Sequence, residues 1–287
     1  MEFVSCSVLT PERKGRIRNF MAFCNESDRM YYEIYLGSEY SFYPDMNIFY
    51  LAEDHSGIVG FLMVYADEAD GAEISACVHP ARRRQGIFSA LFQFACRELE
   101  RFHYSTILLK TEKAFAGQRE FLSHFPAVYR HSEFLMIWDP GNRQPCTAVS
   151  GFSIRPAEKE DLPALTAIHA AAFDNPPDVA ETYIRETYEG KDSSLYAAFL
   201  GGTPVGCVSV DQSGTYQYLF GLCIDPGHRH QGLGRSMLSR LLELLSADSS
   251  REIALGVDRE NMAALPLYES CGFSRRSETQ YFEMKLR

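Results

Sequence analysis

Arginine and glycine residues recur within a short segment, residues 222–235, of this chain. Arg229 precedes Gly232 by three residues, and Gly234 and Arg235 follow after Leu233. Glycine lets the backbone approach a ligand closely, and the two guanidinium groups add positive charge. The spacing therefore favours the binding of an anion, and a diphosphate is the expected ligand.

The sequence around this turn predicts a buried strand before it and a helix after it. Apolar residues lead up to Pro226, which ends the strand. Apolar residues then return at helical spacing: Leu233, Met237, Leu238, Leu241, Leu242 and Leu245. The first amides of a helix have no partner within the helix and lie at the positive end of its dipole. We therefore expect the turn to present free N–H groups to the diphosphate.

Two other phosphate-binding loops do not fit this segment. The Walker loop requires a lysine after its last glycine, and no lysine lies near the turn. The dinucleotide fingerprint requires three glycines in the order G-x-G-x-x-G, whereas the order here is Arg229-x-x-Gly232-x-Gly234.

The segment instead resembles the acyl-CoA signature of the GNAT superfamily of N-acetyltransferases, including the Ile224-Asp225-Pro226 that precedes it. A second stretch downstream resembles the other signature of that family. Asn261 is expected to cap a short helix, Leu267-Tyr268 follow six and seven residues later, and Gly272-Phe273 end the helix and lead into a strand. The two signatures occur in the order that the family has.

The first half of the chain repeats the plan of the second, because residues 73–91 align without a gap on residues 219–237. We predict two tandem domains: residues 1–140, a polar linker at 141–150, and residues 151–287. The resemblance implies an α/β (α+β) fold for each, a mixed, strongly twisted sheet of about six to seven strands flanked by helices. A tandem arrangement of this kind is similar to that of the mycothiol synthase family.

Hydrophobic periodicity places the elements of the two copies. Helices are predicted near 11–24, 29–37, 86–102, 159–173, 177–188 and 233–245, with a short helix after Asn261. Strands are predicted near 47–53, 58–65, 72–79, 105–111, 132–138, 194–200, 203–210, 216–225, 253–257 and 278–286.

The two copies differ in chemistry. Phe88 stands where the second copy has Gly234, so the first turn is bulkier. Residues 115–125 lack the asparagine and the tyrosine of the second signature and offer Phe121 or Leu122 instead. A phenyl ring packs as well as a phenol but cannot donate a proton. We therefore expect catalysis in the C-terminal copy, with the N-terminal copy as a structural or acyl-CoA-holding partner.

Composition narrows the class of protein. The chain has 287 residues, 46% of them hydrophobic, and no basic-then-apolar signal segment at its start. A formal charge of −10 argues against a nucleic-acid partner, and no apolar run is long enough to span a membrane. The eight cysteines form no C-x-x-C pair, which favours reduced thiols in a cytoplasmic protein without a metal. A monomer or a homodimer is expected.

The family resemblance implies direct transfer, in which an amine attacks acetyl-CoA in a ternary complex. A backbone amide at a bulge of the fourth strand, here that of Cys223, would bind the carbonyl oxygen. Tyr268 occupies the general-acid position and would protonate the leaving thiolate, although a core aromatic beside Leu267 is the plainer alternative. The predicted acetyl-CoA-binding residues are Leu222, Cys223, Ile224, Arg229, His230, Gln231, Gly232, Leu233, Gly234, Arg235 and Asn261.

The sequence does not identify the base that must deprotonate the amine. Many relatives carry a glutamate on the fourth strand, but this copy has Tyr216, Gln217 and Tyr218 there, with Asp211 just before. We expect Tyr216 and Tyr218 to line the substrate pocket and to order a water chain. Glu73 occupies the fourth strand of the first copy, where strand alternation could point it to either face.

The loop between the first two helices of the second copy helps to form the acceptor pocket in this family. Asp174 and Asp178 lie there and are candidates for holding a cation, against the alternative of a helix cap and a turn residue. His169 lies on an apolar helix, a pattern typical of a core or pocket-lining histidine.

The leading hypothesis is an acetyl-CoA-dependent N-acetyltransferase that acts on an amine of a small molecule or a peptide. The alternative is a non-catalytic acyl-CoA-binding sensor or scaffold, which the missing base and the altered first copy would both permit.

Overall fold

The computed structural model describes residues 1–146, 149–248 and 251–286. Residues 147 and 148 of the predicted linker, and 249, 250 and 287 of the predicted C-terminal domain, lie outside the described residues. The described chain divides into two compact units. Unit 1 contains residues 1–133 and 277–287, and unit 2 contains residues 134–276.

The described residues form twelve strands and seven α-helices. The strands are β1 (Glu2–Cys6), β2 (Phe49–Asp54), β3 (Gly57–Tyr65), β4 (Gly71–Val78), β5 (Thr106–Glu112), β6 (Val128–Trp138), β7 (Phe152–Pro156), β8 (Ser193–Leu200), β9 (Thr203–Asp211), β10 (Gln217–Ile224), β11 (Ile253–Asp258) and β12 (Phe273–Lys285). The helices are α1 (Pro11–Asp28), α2 (Ile87–Arg101), α3 (Gln118–Leu122), α4 (Leu162–Phe173), α5 (Pro177–Glu189), α6 (Leu233–Asp248) and α7 (Ala264–Ser270).

Each unit has a mixed sheet, as the sequence predicted. The strand order is β1-β2-β3-β4-β5-β12-β6 in unit 1 and β7-β8-β9-β10-β11-β6-β12 in unit 2. The pairs β4–β5 and β10–β11 are parallel, and the remaining registered pairs are antiparallel. Because β6 and β12 each contribute residues to both units, the units do not coincide with the two sequence copies.

The predicted apolar face of the helix after the second glycine-rich turn forms the centre of the unit 2 core. Its six side chains are all buried: Leu233, Met237, Leu238, Leu241, Leu242 and Leu245. In unit 1, α2 buries a matching row at the same spacing: Ile87, Leu91, Ala95 and Leu99. The 3.6-residue period therefore places the glycine-rich turn at the N-terminus of a fixed helix in each unit.

The helix predicted near residues 29–37 is wrong. Arg29 adopts a left-handed conformation and ends α1, and the chain beyond it is neither helix nor strand. Side chains bind two backbone groups at the start of this segment: Glu112 accepts from the amide of Tyr31, and Asn25 donates to the carbonyl of Tyr32. These bonds replace the ladder that a helix would have provided.

Two short strands, β1 and β7, were not predicted. Each has five residues and lies at the outer edge of its sheet. Five residues give only about two periods of alternating apolar and polar side chains, which is a weak signal. None of the helices in the described part of the chain is long and apolar enough to cross a membrane. All eight cysteines are free thiols.

Candidate active site

A β-bulge interrupts β10 near its end. Phe220 pairs with Ser209 and Cys223 pairs with Cys207, so two residues of β10 lie opposite one residue of β9. The first of them, Gly221, has φ of +59°, which a residue without a Cβ adopts at little cost. A bulge leaves one residue outside the ladder, so a backbone amide near the predicted Cys223 is released from sheet pairing.

The strands β10 and β11 separate beside this bulge. Their parallel pairing covers only Gln217–Leu219 against Ile253–Leu255, although β10 continues to Ile224 and β11 continues to Asp258. Two strands that stop pairing while both continue leave an opening between them. The bulge borders this opening, so the unpaired backbone and the opening occur at one place in the sheet.

The glycine-rich turn connects β10 to α6. His230 has φ of +62° and Gly232 has φ of +76°, and the first helical bond runs from the amide of Ser236 to the carbonyl of Gly232. The amides of the intervening residues, Leu233 to Arg235, therefore precede the helical ladder. A Cβ at Gly232 would lie 4.0 Å from its nearest neighbour, a methyl group of Val149. The turn thus leaves room for an anion at these amides.

The two arginines of the turn bind backbone carbonyl groups. Arg229 donates from Nε to the carbonyl of Ile224 at 3.3 Å and from Nη2 to that of Ala172 at 3.2 Å, which ties the end of β10 to the end of α4. Arg235 donates from Nη2 to the carbonyl groups of Gln144 and Pro145 at 3.3 and 3.0 Å. Both guanidinium groups therefore shape the turn and keep a positive charge next to it.

The remaining predicted residues of the turn lie around its amides. Gln231 and His230 are exposed, and Leu233 points into the core. A Cβ at Gly234 would lie 3.5 Å from Leu267 on α7, which is an ordinary contact. A side chain larger than alanine would extend into the gap between the first turn of α6 and α7. Leu222 packs against the core of unit 2, and Ile224 is buried there.

Tyr268 lies on the short helix α7 that the second signature predicted. Asn261 precedes this helix, and its side-chain oxygen accepts from the amide of Ala264 at 3.0 Å, as expected of a capping residue. The ring of Tyr268 packs edge-on against Phe273, with 6.1 Å between centroids, and burial raises the pKa of its hydroxyl to about 12. The phenol therefore stays protonated at neutral pH, the state that a proton donor needs.

Tyr216, directly before β10, and Tyr218, within it, lie on the face opposite the α6 core. Tyr216 is buried and packs with Ile137 and Ala254, and Tyr218 packs against the same cluster. The hydroxyl of Tyr218 extends over β11, where a Cβ at Gly256 would collide with it. This part of unit 2 is therefore aromatic and carries no carboxylate on β10.

The two predicted acceptor-loop aspartates lie at helix ends. Asp174 takes a left-handed conformation with φ of +56° and ends α4, and Asp178 lies in the first turn of α5. A carboxylate in the first turn of a helix is stabilised by the helix dipole. Among the described residues, no group of three or more His, Cys, Asp or Glu side chains could hold a metal ion.

His169 is a residue whose position the sequence left open. It is 7% exposed, and its ring lies against Phe173 and Tyr183. Its Nδ1 is buried without a hydrogen-bond partner among the described residues. The signal in the sequence was a single histidine within an otherwise apolar helix, and only the fold places it beside the bulge.

The equivalent strand of unit 1 has no bulge. The pairing of β4 with β3 keeps one register from Gly60–Val78 to Tyr65–Glu73. Glu73 binds the Nζ of Lys110 at 2.9 Å, and that Nζ lies 4.9 Å from the ring centre of Tyr281. The side chain that sequence alternation left undetermined is therefore engaged in an ion pair.

Comparisons with known proteins agree with this architecture. Residues 162–273 match the acetyltransferase (GNAT) family, and residues 45–125 match the acetyltransferase (GNAT) domain. A mycothiol acetyltransferase of Kineococcus radiotolerans is 30% identical over 227 residues, covering 75% of this chain and 73% of the relative. A [ribosomal protein bS18]-alanine N-acetyltransferase of Escherichia coli is 41% identical over 56 residues, covering 20% of this chain and 38% of the relative.

A solved structure resembles the whole chain. It is a tandem GNAT protein from the clavulanic acid biosynthesis pathway, with a TM-score of 0.74 and 18% sequence identity. The match covers 100% of this chain and 98% of the other. At 18% identity the likeness concerns the fold alone, and it extends over both halves of this chain.

Proposed function

This chain belongs to the acetyltransferase (GNAT) family and is an N-acetyltransferase with two GNAT domains in tandem, and from this premise we propose that acetyl-CoA is its acetyl donor. The acceptor is an amine of a small molecule or a peptide, which attacks the thioester directly in a ternary complex. Catalysis takes place in unit 2.

The observation that carries the proposal is the bulge in β10 beside the opening between β10 and β11. In this proposal the amide of Cys223, or that of its neighbour Leu222 or Ile224, donates to the carbonyl oxygen as negative charge develops there. Leu222 lies in the bulge itself, whereas Cys223 and Ile224 pair with Cys207 and Gly206. A fixed donor of this kind stabilises a transition state without reorganisation, and removing one typically costs about 10²- to 10³-fold in kcat.

The turn that follows supports the binding of the diphosphate of acetyl-CoA. The amides of Leu233 to Arg235 precede the helical ladder, a Cβ at Gly232 would meet no atom closer than 4.0 Å, and the dipole of α6 favours negative charge at that end. We assign the diphosphate to the amides from His230 to Arg235. Arg229 and Arg235 support the binding of acetyl-CoA indirectly, by hydrogen bonds to carbonyl groups that fix the turn. Asn261 supports it by capping the start of α7, the helix that carries Tyr268.

Tyr268 is the proposed general acid. A thiolate that leaves a thioester needs a proton, and a phenol whose pKa is raised by burial remains protonated until one is required. Tyr216, Tyr218, Asp174 and Asp178 are the proposed acceptor-side residues. One relative is named as an N-acetyltransferase of a ribosomal-protein alanine and another as a mycothiol acetyltransferase, so α-amines of peptides and amines of small molecules are the first acceptors to test.

A thiol-release assay with acetyl-CoA tests the proposal. The panel contains a short peptide beginning with alanine, glucosamine, spermidine, an aminoglycoside and free amino acids. We expect at least one amine to accelerate thiol release in proportion to the acetylated product. Tight binding of acetyl-CoA with no acceleration by any amine would favour the sensor alternative.

A further inference from the structure

Direct acetyl transfer requires a base in unit 2. An alkyl ammonium has a pKa of about 10.4 and cannot attack until it loses a proton. The residues of β10 beside the opening, 220–224, include no carboxylate. A side-chain base in unit 2 must therefore come from an element that packs against β10.

His169 on α4 reaches the bulge. Its Nε2 lies 3.8 Å from the point that a Cβ on Gly221 would occupy. The hydroxyl oxygen of Ser209, on β9, lies 3.5 Å from the same point. Because Gly221 has no side chain, two polar atoms converge on a space that the bulge leaves free.

The imidazole is held in place but lacks hydrogen-bond partners. Phe173 lies 4.6 Å and Tyr183 lies 5.9 Å from it, measured between ring centroids. Nδ1 is fully buried without a partner among the described residues. Buried polar groups in folded proteins are nearly always hydrogen-bonded, so an unpartnered one is a feature that needs an explanation. The unpartnered atom is Nδ1, whereas Nε2 is the nitrogen beside Gly221. With its proton on Nδ1, a ring held by aromatic neighbours presents the lone pair of Nε2 at the bulge.

We propose that His169 is the general base of unit 2, an inference that rests on the proposed function. Its Nε2 accepts a proton from the acceptor ammonium, directly or through a water bound at Ser209. The N–H electron pair stays on the amine nitrogen, which forms a bond to the carbonyl carbon as the C–S bond breaks. The thiolate takes the proton of Tyr268, the phenolate regains one from the new amide nitrogen, and His169 releases its proton to solvent.

The surroundings keep the imidazole neutral. Burial lowers the pKa of His169 below its ordinary value. The titratable groups in contact with the ring or its cluster are the Tyr183 phenol, the thiols of Cys207 and Cys223, and the guanidinium of Arg229, which reaches the α4 carbonyl of Ala172. The packed elements also carry carboxylates, those of Asp178, Glu181, Glu186 and Glu189 on α5 and Asp211 on β9, but burial is the cause of the lowered pKa. The base is thus unprotonated at neutral pH, and activity should rise with pH only in the acidic range, below about 6.5.

Variants of His169 in the full chain test the inference. We expect His169→Gln to lower kcat/KM by about 100-fold with the panel amine that the wild type acetylates, and to leave the acetyl-CoA dissociation constant within about twofold. The acidic limb of the pH profile should disappear, and added imidazole should partly restore the activity of His169→Ala. His55→Gln, in the exposed turn between β2 and β3, is the matched control and should behave as the wild type.

A measurement on the unaltered chain covers the case in which the variants fail to fold. The imidazole of His169 is titrated by NMR in the wild type, and its pKa should equal that of the acidic limb of kcat/KM. Wild-type rates in His169→Gln, or a mismatch between the two pKa values, would overturn the inference alone. If the wild type released no thiol with any panel amine, the proposed function would fail and this inference with it.

Discussion

The two units build the same turn on different strands. In unit 1, Arg84 and Gly86 have φ of +63° and +79°, within a few degrees of His230 and Gly232 in unit 2. Arg83 donates to the carbonyl of Val78 at 3.1 Å, as Arg229 does to that of Ile224. The strand before the turn differs, because β4 pairs evenly and β10 carries a bulge. The two units therefore share the turn and differ in the strand that leads into it.

The surroundings of the turn differ as well. Phe88 of unit 1 takes the place of Gly234, and its ring packs against Phe92, Phe121 and Phe125 at 5.5, 5.0 and 6.0 Å between centroids. In unit 1 an aromatic cluster therefore packs at the first turn of α2, where unit 2 has a glycine at the first turn of α6. The difference is one of side-chain packing beside the turn.

The largest expected effect comes from filling the turn of unit 2. Gly232→Leu should weaken acetyl-CoA binding by at least about 100-fold, because losing two charge-assisted bonds from amides to phosphate costs about 3 kcal/mol or more. Gly86→Leu imposes the same positive-φ strain in unit 1, where a Cβ also meets nothing within 4 Å. Calorimetry should find the affinity of that control within about twofold of the wild type. Equal losses in both variants would remove the distinction between the units.

Removing the phenol of α7 should have the next largest effect. Tyr268→Phe keeps the ring volume, so folding and the acetyl-CoA dissociation constant should be unchanged while kcat and kcat/KM fall together by about 10- to 1000-fold. Phe121→Tyr, in unit 1, adds a hydroxyl on α3, which has no asparagine before it, and should add no activity. A Tyr268→Phe enzyme with the wild-type kcat would show that this residue only packs.

The carboxylate of β4 should matter for stability and not for turnover. Glu73→Gln leaves the half-buried Lys110 without its ion-pair partner, and we expect the free energy of unfolding to fall by about 1–2 kcal/mol in urea titrations. Glu120→Gln, which removes the exposed pair with Arg84, should cost less than about 0.5 kcal/mol. A fall in kcat of tenfold or more in Glu73→Gln would mean that unit 1 contributes a base.

The smallest effect is expected at alkaline pH. Tyr268 acts as an acid only while protonated, and its pKa is raised by burial to about 12. Activity lost through this group would therefore appear only as the pH approaches 12, and kcat should stay level between pH 7 and pH 10. A descending limb centred near pH 9 that disappears in Tyr268→Phe would contradict the raised pKa.

Local patterns predicted the elements of the site, and long-range pairing decided the rest. The turn, the buried face of α6 and the cap at Asn261 depend on residues within a few positions of one another, so the sequence was sufficient. The position of the bulge depends on how β10 pairs with β9, and the passage of β6 and β12 between the units depends on partners more than a hundred residues away. Neither is encoded in a local period.

Side-chain partners from distant segments explain the other differences. The segment after Arg29 has enough apolar residues for a helix, but Glu112 and Asn25 bind its backbone. In the sequence, His169 is only a histidine on an apolar helix. Its proximity to Gly221 becomes visible only in the structure, because it depends on the bulge in β10. The predicted roles of Tyr268, Cys223 and the turn remain predictions for the experiments above.

Amide hydrogen exchange on the full chain, with and without acetyl-CoA, tests the central claim most directly. Unit 2 is proposed to hold the ligand between the bulge and the first turn of α6, so protection should rise at residues 221–224 and 232–236. The matching backbone of unit 1, residues 75–78 and 86–90, should exchange at an unchanged rate. Protection confined to unit 1, with no change at the bulge or at α6, would contradict the account.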